Sequence, residues 1–243
     1  MNKEKIEKMT KKVVNSAKEN ARKNARNRIF KITLVVIILF LINLYVILNI
    51  IYVGENFTVT LDSEYGRESG LVIYENPDDI KLRTYLKSND IKYFTDISVN
   101  WLPQNIDNEG YGSHNGENYI AYTYFASNRG QDTINYWTSI ELDDVIKNVD
   151  EAIRVMVIKN GERTIYAKRN KSTGEAEKGT TPFYSDTRIM QEKNENFTVD
   201  SVDKYTIVIW VEGDDPDCID DLIGGEIKMH MKLTEEHINK ENI

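Results

Sequence analysis

The sequence predicts a mainly β protein: a β-sandwich preceded by a helical basic arm and one transmembrane helix. Two observations carry this reading. Residues 32–53 are 22 side chains without a charge, and beyond them short alternating runs are separated by turn-forming residues. The element boundaries follow as an arm over 1–31, a span over 32–53, a sandwich over 54–233 and a polar tail over 234–243.

The arm alternates Lys, Glu, Asn and Ala without Pro or Gly, and Ile6, Met9, Val13 and Ala17 recur at helical spacing. That stripe is too thin for strong insertion into lipid, so a solvated helix that sets topology is expected, with an arm lying on anionic headgroups as the alternative. The span is nearly all Ile, Leu, Val and Phe. At about 1.5 Å per residue it reaches roughly 33 Å, enough for a hydrocarbon core of about 30 Å. Soluble helices rarely stay apolar around their whole circumference for so long. Eleven Lys or Arg against three Glu give residues 1–31 a charge of +8; the whole chain is −8, so the remainder carries −16. Positive flanks stay inside, which predicts a cytoplasmic N-terminus and an extracellular C-terminal region; with one cysteine in the chain and eukaryotic secreted domains usually relying on disulfides, a bacterial cell membrane is expected. The long charged region and the lack of a small-x-small site after Tyr52 argue for an uncleaved signal anchor. Basic residues without interleaved aromatics argue against nucleic-acid binding; the expected partner of the span is the lipid bilayer.

Strands then follow in order. Phe57 to Leu61, Leu71 to Tyr74 and Asp96 to Trp101 are short candidates. Tyr119 to Ala126 alternates, meets the turn Asn128-Arg129-Gly130, and is expected to pair with the returning run Thr133 to Leu142. Ile153 to Lys159 reaches Asn160-Gly161, a strong hairpin signal, and Arg163 to Lys168 returns. Tyr205 to Val211 is apolar on both faces, as in a central strand covered on each side. Ile227, Met229, Met231 and Leu233 alternate with polar residues, giving one wet face. Asp78 to Leu86 and Asp143 to Asn148 are the short helix candidates. Glu55-Asn-Phe-Thr-Val59 recurs as Glu195-Asn-Phe-Thr-Val199, and both copies are expected to start strands. About eight short strands read as a sandwich.

Tyr119-Ile-Ala-Tyr-Thr-Tyr-Phe125 followed by Asn128-Arg-Gly130 resembles the strand-and-turn of TasA- and camelysin-like proteins, surface β-sandwich proteins of Gram-positive bacteria. Val208-Ile-Trp-Val-Glu-Gly-Asp-Asp-Pro-Asp-Cys218, Gly224-Gly225 and the last strand add to the similarity, which covers roughly residues 95–233. It implies a jelly-roll-like fold and, for some members, a place in biofilm matrix fibres. This chain departs from those proteins in its long arm and anchor, and no zinc motif is present to carry over a protease activity.

Chemistry-bearing residues are few. Glu212, Asp214, Asp215, Asp217, Asp220 and Asp221 put six carboxylates in ten residues after a strand. Such a loop could offer oxygens to calcium, although the spacing is not that of an EF-hand; a solvated turn with Asp side chains capping a short helix at Cys218 to Ile223 is the alternative. The polar loop Gln104 to Asn118 is a weaker calcium candidate. His114, His230 and His237 show no metal-ligand spacing, and no nucleophile motif appears. Cys218 is the lone cysteine, so no internal disulfide can form, and its acidic neighbours predict a raised thiol pKa. Trp101, Trp137 and Trp210 are expected core anchors. No other cofactor is implied. The expectation is a non-catalytic, structural or adhesive surface module that meets itself or other surface and matrix proteins through exposed strand edges. A calcium- or ligand-sensing ectodomain is the alternative.

Overall fold

The computed structural model describes residues 3–52, 56–62, 70–91, 93 and 95–236. The chain divides into two compact units, residues 1–54 and 55–243.

The first unit is one helix, α1 (Lys3–Tyr52), so arm and span form a single uninterrupted element. From Arg22 to Ile47 the helix is long and apolar enough to cross a membrane, and none of that stretch is buried. Asn43, a polar residue inside the span, donates through Nδ2 to the Leu39 carbonyl at 2.9 Å. The helix thereby satisfies that donor itself, as hydrocarbon requires.

The second unit is two sheets face to face. Sheet A has the order β10 (Arg188–Phe197), β6 (Ile134–Ile146), β12 (Glu226–Glu236), β1 (Phe57–Leu61), β3 (Tyr85–Lys87). Sheet B runs β2 (Leu71–Tyr74), β5 (Ile120–Asn128), β11 (Val202–Val211), β7 (Ile153–Lys159), β8 (Glu162–Ala167), β9 (Thr181–Pro182), with β4 (Gly112–Ser113) also on β5. Neighbours are antiparallel except β1–β12 and β8–β9. The pole where β1 and β12 start also holds the ends of β6, β8 and β11; it is called the near pole here, and the opposite one the far pole.

Alternation places the core. Phe57, Val59, Tyr136, Ile140, Met229, Met231 and Leu233 of sheet A meet Tyr122, Tyr124, Val155, Val157, Tyr205, Ile207 and Ile209 of sheet B in one buried cluster. The opposite face of sheet B is apolar as well. Ala121, Met156, Ile158, Val208 and Trp210 lie beneath Ile97, Leu102 and Ile106, which cross that face in irregular chain. The two-faced apolarity of β11 is thus explained by a second, smaller core. On β12 the alternation leaves Lys228, His230 and Lys232 half-buried on the polar face of sheet A.

The sandwich, the strand β11 and the Asn160-Gly161 hairpin agree with expectation; Asn160 (φ 52) and Gly161 (φ 92) supply the two positive φ angles of a type I′ turn. Several expectations are overturned. β5 and β6 do not pair as a hairpin: β5 joins β2 and β11, while β6 lies in the other sheet between β10 and β12. Both strands bury one face in the core shared by the sheets, which direct pairing would forfeit. Asp143 to Asn148 is not helical. β6 continues to Ile146 because Val145 pairs with Ile227 and Asp144 with Lys228, and Lys147 and Asn148 then turn with φ 58 and 53. Asp78 to Leu86 ends as strand β3, where Leu86 is buried opposite Val59. Asp96 to Trp101 contributes a single bridge from Ile97 to Glu212 and a 3-10 turn, Val99–Trp101. The second copy of the pentapeptide ends a strand instead of starting one, since Asn196 (φ 57) sits in the bulge that closes β10. Residues 234–236, expected in the tail, complete β12, where Glu235 is buried and accepts from the Leu71 N–H at 3.0 Å. His237 and the rest of the tail lie outside the described residues.

Candidate functional site

The acidic loop after β11 does not form one site. Glu212 is buried and turns inward, its Oε2 accepting from Trp210 Nε1 (3.0 Å) and the Val99 N–H (3.1 Å). Asp214, Asp220 and Asp221 are exposed. The 3-10 turn Asp220–Leu222 is preceded by Ile219, and no side chain caps it, against the expected Asp cap. Asp215 is buried and ion-paired with Arg154, itself buried; its Oδ1 accepts from the Asp217 N–H at 2.7 Å. The carboxylates thus disperse because two of them are needed to satisfy buried donors.

Asp215 and Asp217 do converge with a third group that the loop's own spacing could not reveal. Glu177, from the loop between β8 and β9, brings a carboxylate oxygen to them, and all three ligand atoms lie within 4.8 Å of one another. Asp217 also accepts from the Lys171 N–H at 2.9 Å, and Glu177 Oε1 is buried without a hydrogen-bond partner. Oxygens at this separation suit a hard cation such as calcium. Among the six expected ligands, only Asp215 and Asp217 belong to this group.

A second polar cluster sits inside the sandwich at the far pole, and nothing in the sequence pattern singles it out. Lys159 ends β7 opposite Tyr205, so both point between the sheets. Asn194 of β10 sits opposite Tyr136 and is 6% exposed. The Lys159 ammonium contacts Asn194 Oδ1 directly, with Glu192 Oε1 at 3.5 Å and Asp203 Oδ2 at 3.8 Å. Asp203 accepts from the Tyr136 hydroxyl and, at 2.6 Å, from Asn160 Nδ2; the hydroxyls of Tyr136 and Tyr205 are 2.9 Å apart. Burial pushes Tyr136 and Tyr205 above the ordinary phenol range; Tyr205 and Asp203 add to the rise at Tyr136, whereas at Tyr205 the Tyr136 hydrogen bond works against burial and the nearby carboxylates of Asp203 and Glu192.

The remaining candidates are scattered. His114 is half-covered over β5, its Nε2 2.9 Å from Thr123 Oγ1, which meets Thr206 Oγ1 at 2.7 Å. Burial lowers its pKa despite Glu109. His230 pairs with Asp143 at 2.7 Å on the polar face of sheet A. Cys218 is partly covered, and burial with Asp96, Asp215 and Glu212 nearby raises its thiol pKa, as its surroundings in the sequence suggest. Of the three tryptophans only Trp210 is a core anchor. Trp101 is 74% exposed, and Trp137 lies on the polar face of sheet A, where its Nε1 donates to Glu236 at 3.0 Å. A shallow cavity of about 210 Å³ is lined by Glu75, Asn76, Asp79, Lys81 and Arg83.

No family model, no curated protein and no solved structure matches this chain.

Proposed function

We propose that the chain is a single-pass surface protein of a Gram-positive-like bacterium, with its N-terminus cytoplasmic and its β-sandwich outside. In this reading the sandwich is a non-catalytic structural or adhesive module, jelly-roll-like, of the kind the TasA resemblance implies. The observation that carries it is the apolar stretch of α1: its described side chains are all exposed, an arrangement that costs a great deal in water and nothing in lipid. The +8 charge of residues 1–31 supports the orientation. The repeated passage of the chain between sheets supports the jelly-roll reading.

Edge contacts are the proposed mode of association, and the geometry narrows them to one strand. β3 and β9 are very short, and β2 is bridged by Arg83. β10 is a ten-residue edge, but it carries Arg188, Glu192, Lys193 and Glu195 and two bulges, all features that discourage indiscriminate strand addition. Contact through β10 therefore calls for a partner of complementary charge. The test is protease treatment of intact cells, followed by light scattering of the detergent-solubilised chain. Digestion of the sandwich from outside, with self-association that Glu192→Lys abolishes, supports the reading. Protection in intact cells but not in lysed ones overturns the orientation, and a strict monomer limits β10 to heterologous partners.

A calcium-sensing role is the second reading, favoured by the buried unpartnered oxygen of Glu177 facing Asp215 and Asp217. Millimolar calcium should then raise the melting temperature by mass action, and Glu177→Gln should remove the rise. An unchanged melting temperature in the unsubstituted chain sinks it.

A further inference from the structure

We propose that Lys159 and Asn194 form an intramolecular amide bond that covalently joins the two sheets. Lys159 closes β7 of sheet B and Asn194 lies in β10 of sheet A, yet their side chains are in direct contact between the sheets. The Asn194 amide carbon is one bond of about 1.23 Å beyond the contacted oxygen. The carbon that would be attacked is therefore the atom next to the one the lysine nitrogen already touches, as a near-attack arrangement requires. Asn194 Nδ2, the group that must leave, is buried and meets no acceptor among the described residues. Two carboxylates flank the lysine, and Asp203 is the more enclosed of them, its side chain 13% exposed against 48% for Glu192. Asp203 is held in place by Tyr136 and Asn160.

The step balances without any co-reactant. Asp203 takes a proton from the Lys159 ammonium, freeing the lone pair on Nζ. Nζ attacks Cγ of Asn194, forming the new C–N bond, and Asp203 returns the proton to Nδ2. The Cγ–Nδ2 bond then breaks as the carbonyl re-forms, Asp203 takes the second surplus proton from Nζ, and the departing ammonia carries that proton away as ammonium. Nothing is oxidised or reduced. With one cysteine in the sequence no internal disulfide can form, and this amide would give the sheets a covalent staple in its place.

The test is intact mass spectrometry of the full-length chain, solubilised in detergent and then denatured. The expected mass is one ammonia, about 17 Da, below that of the sequence, and the tryptic digest should contain a branched peptide joining Lys159 to Asn194. A succinimide at Asn160-Gly161 loses the same mass, so a linear peptide with the loss at Asn160 overturns the proposal. A full sequence mass with cleavage after Lys159 overturns it too. Lys159→Arg and Asn194→Ala should each weigh what their sequences do; a deficit surviving in Lys159→Arg places the loss elsewhere. Asp203→Asn should form the bond about a hundredfold more slowly, and an unchanged rate removes Asp203 from the proton transfer.

Discussion

Single side chains decide how the loops of the sandwich are pinned. Asn128 is fully buried at the end of β5; its Nδ2 donates to the carbonyls of Asp132 and Phe197, both at 2.9 Å, and its Oδ1 accepts from the Gly130 N–H at 2.9 Å. It ties the crossing between sheets to the end of β10. Asn128→Ala would leave the buried Phe197 carbonyl without this donor, at about 1–3 kcal/mol, and would remove the part-buried bonds to Asp132 and Gly130. We expect a loss of about 1–3 kcal/mol, read as a fall in melting temperature, whereas Asn108→Ala on the surface should change little. His114 makes a prediction in pH. Its pKa is lower folded than unfolded because burial penalises the charged ring. The unfolded chain therefore binds the proton more readily, so this contribution is complete above about pH 6.5 and is lost as pH falls through the lower folded value. Melting curves between pH 7.5 and 5.5 should show the decline, and His114→Gln should flatten that part of it.

At the scale of elements, the helix and strands were largely legible and their partners were not. An uncharged run of 22 residues can be read directly, because the bilayer imposes one length on it. Replacing Ile42 by Arg near the middle of that run should cost about 2.5–3.5 kcal/mol of insertion free energy. A translocon insertion assay should show a reduced inserted fraction, and full insertion would count against the span. Period-two alternation likewise identified β5 and β12, while turn signals marked β6 and β7 and a run apolar on both faces marked β11. Alternation specifies a buried face without specifying the neighbour, and so β5 and β6 looked like a hairpin while each satisfied its apolar face across the core. Asp143 to Asn148 misled for a related reason: its acidic composition suits a helix start, but pairing with β12 outweighs that local preference. The acidic loop was visible as composition only. Which of its carboxylates turn inward depends on Arg154, Trp210 and Glu177, all distant in sequence.

For the molecule as a whole, strands that follow one another often lie in different sheets, so contacts between distant parts of the chain dominate and slow folding is expected. Stopped-flow refolding should place the sandwich well below helical proteins of equal size in rate. One feature of the topology has a mechanical meaning. β1, the first strand, runs parallel to β12, the last, with five residues in register from Phe57↔Met229 to Leu61↔Leu233. A force applied at residue 57 and residue 236 pulls these neighbours in opposite directions along their length. Their hydrogen bonds are then loaded together in shear and cannot be unzipped one by one. Such a domain should hold under tension until the whole register gives way at once, and a single-molecule pulling trace should show one abrupt rupture in place of a gradual extension.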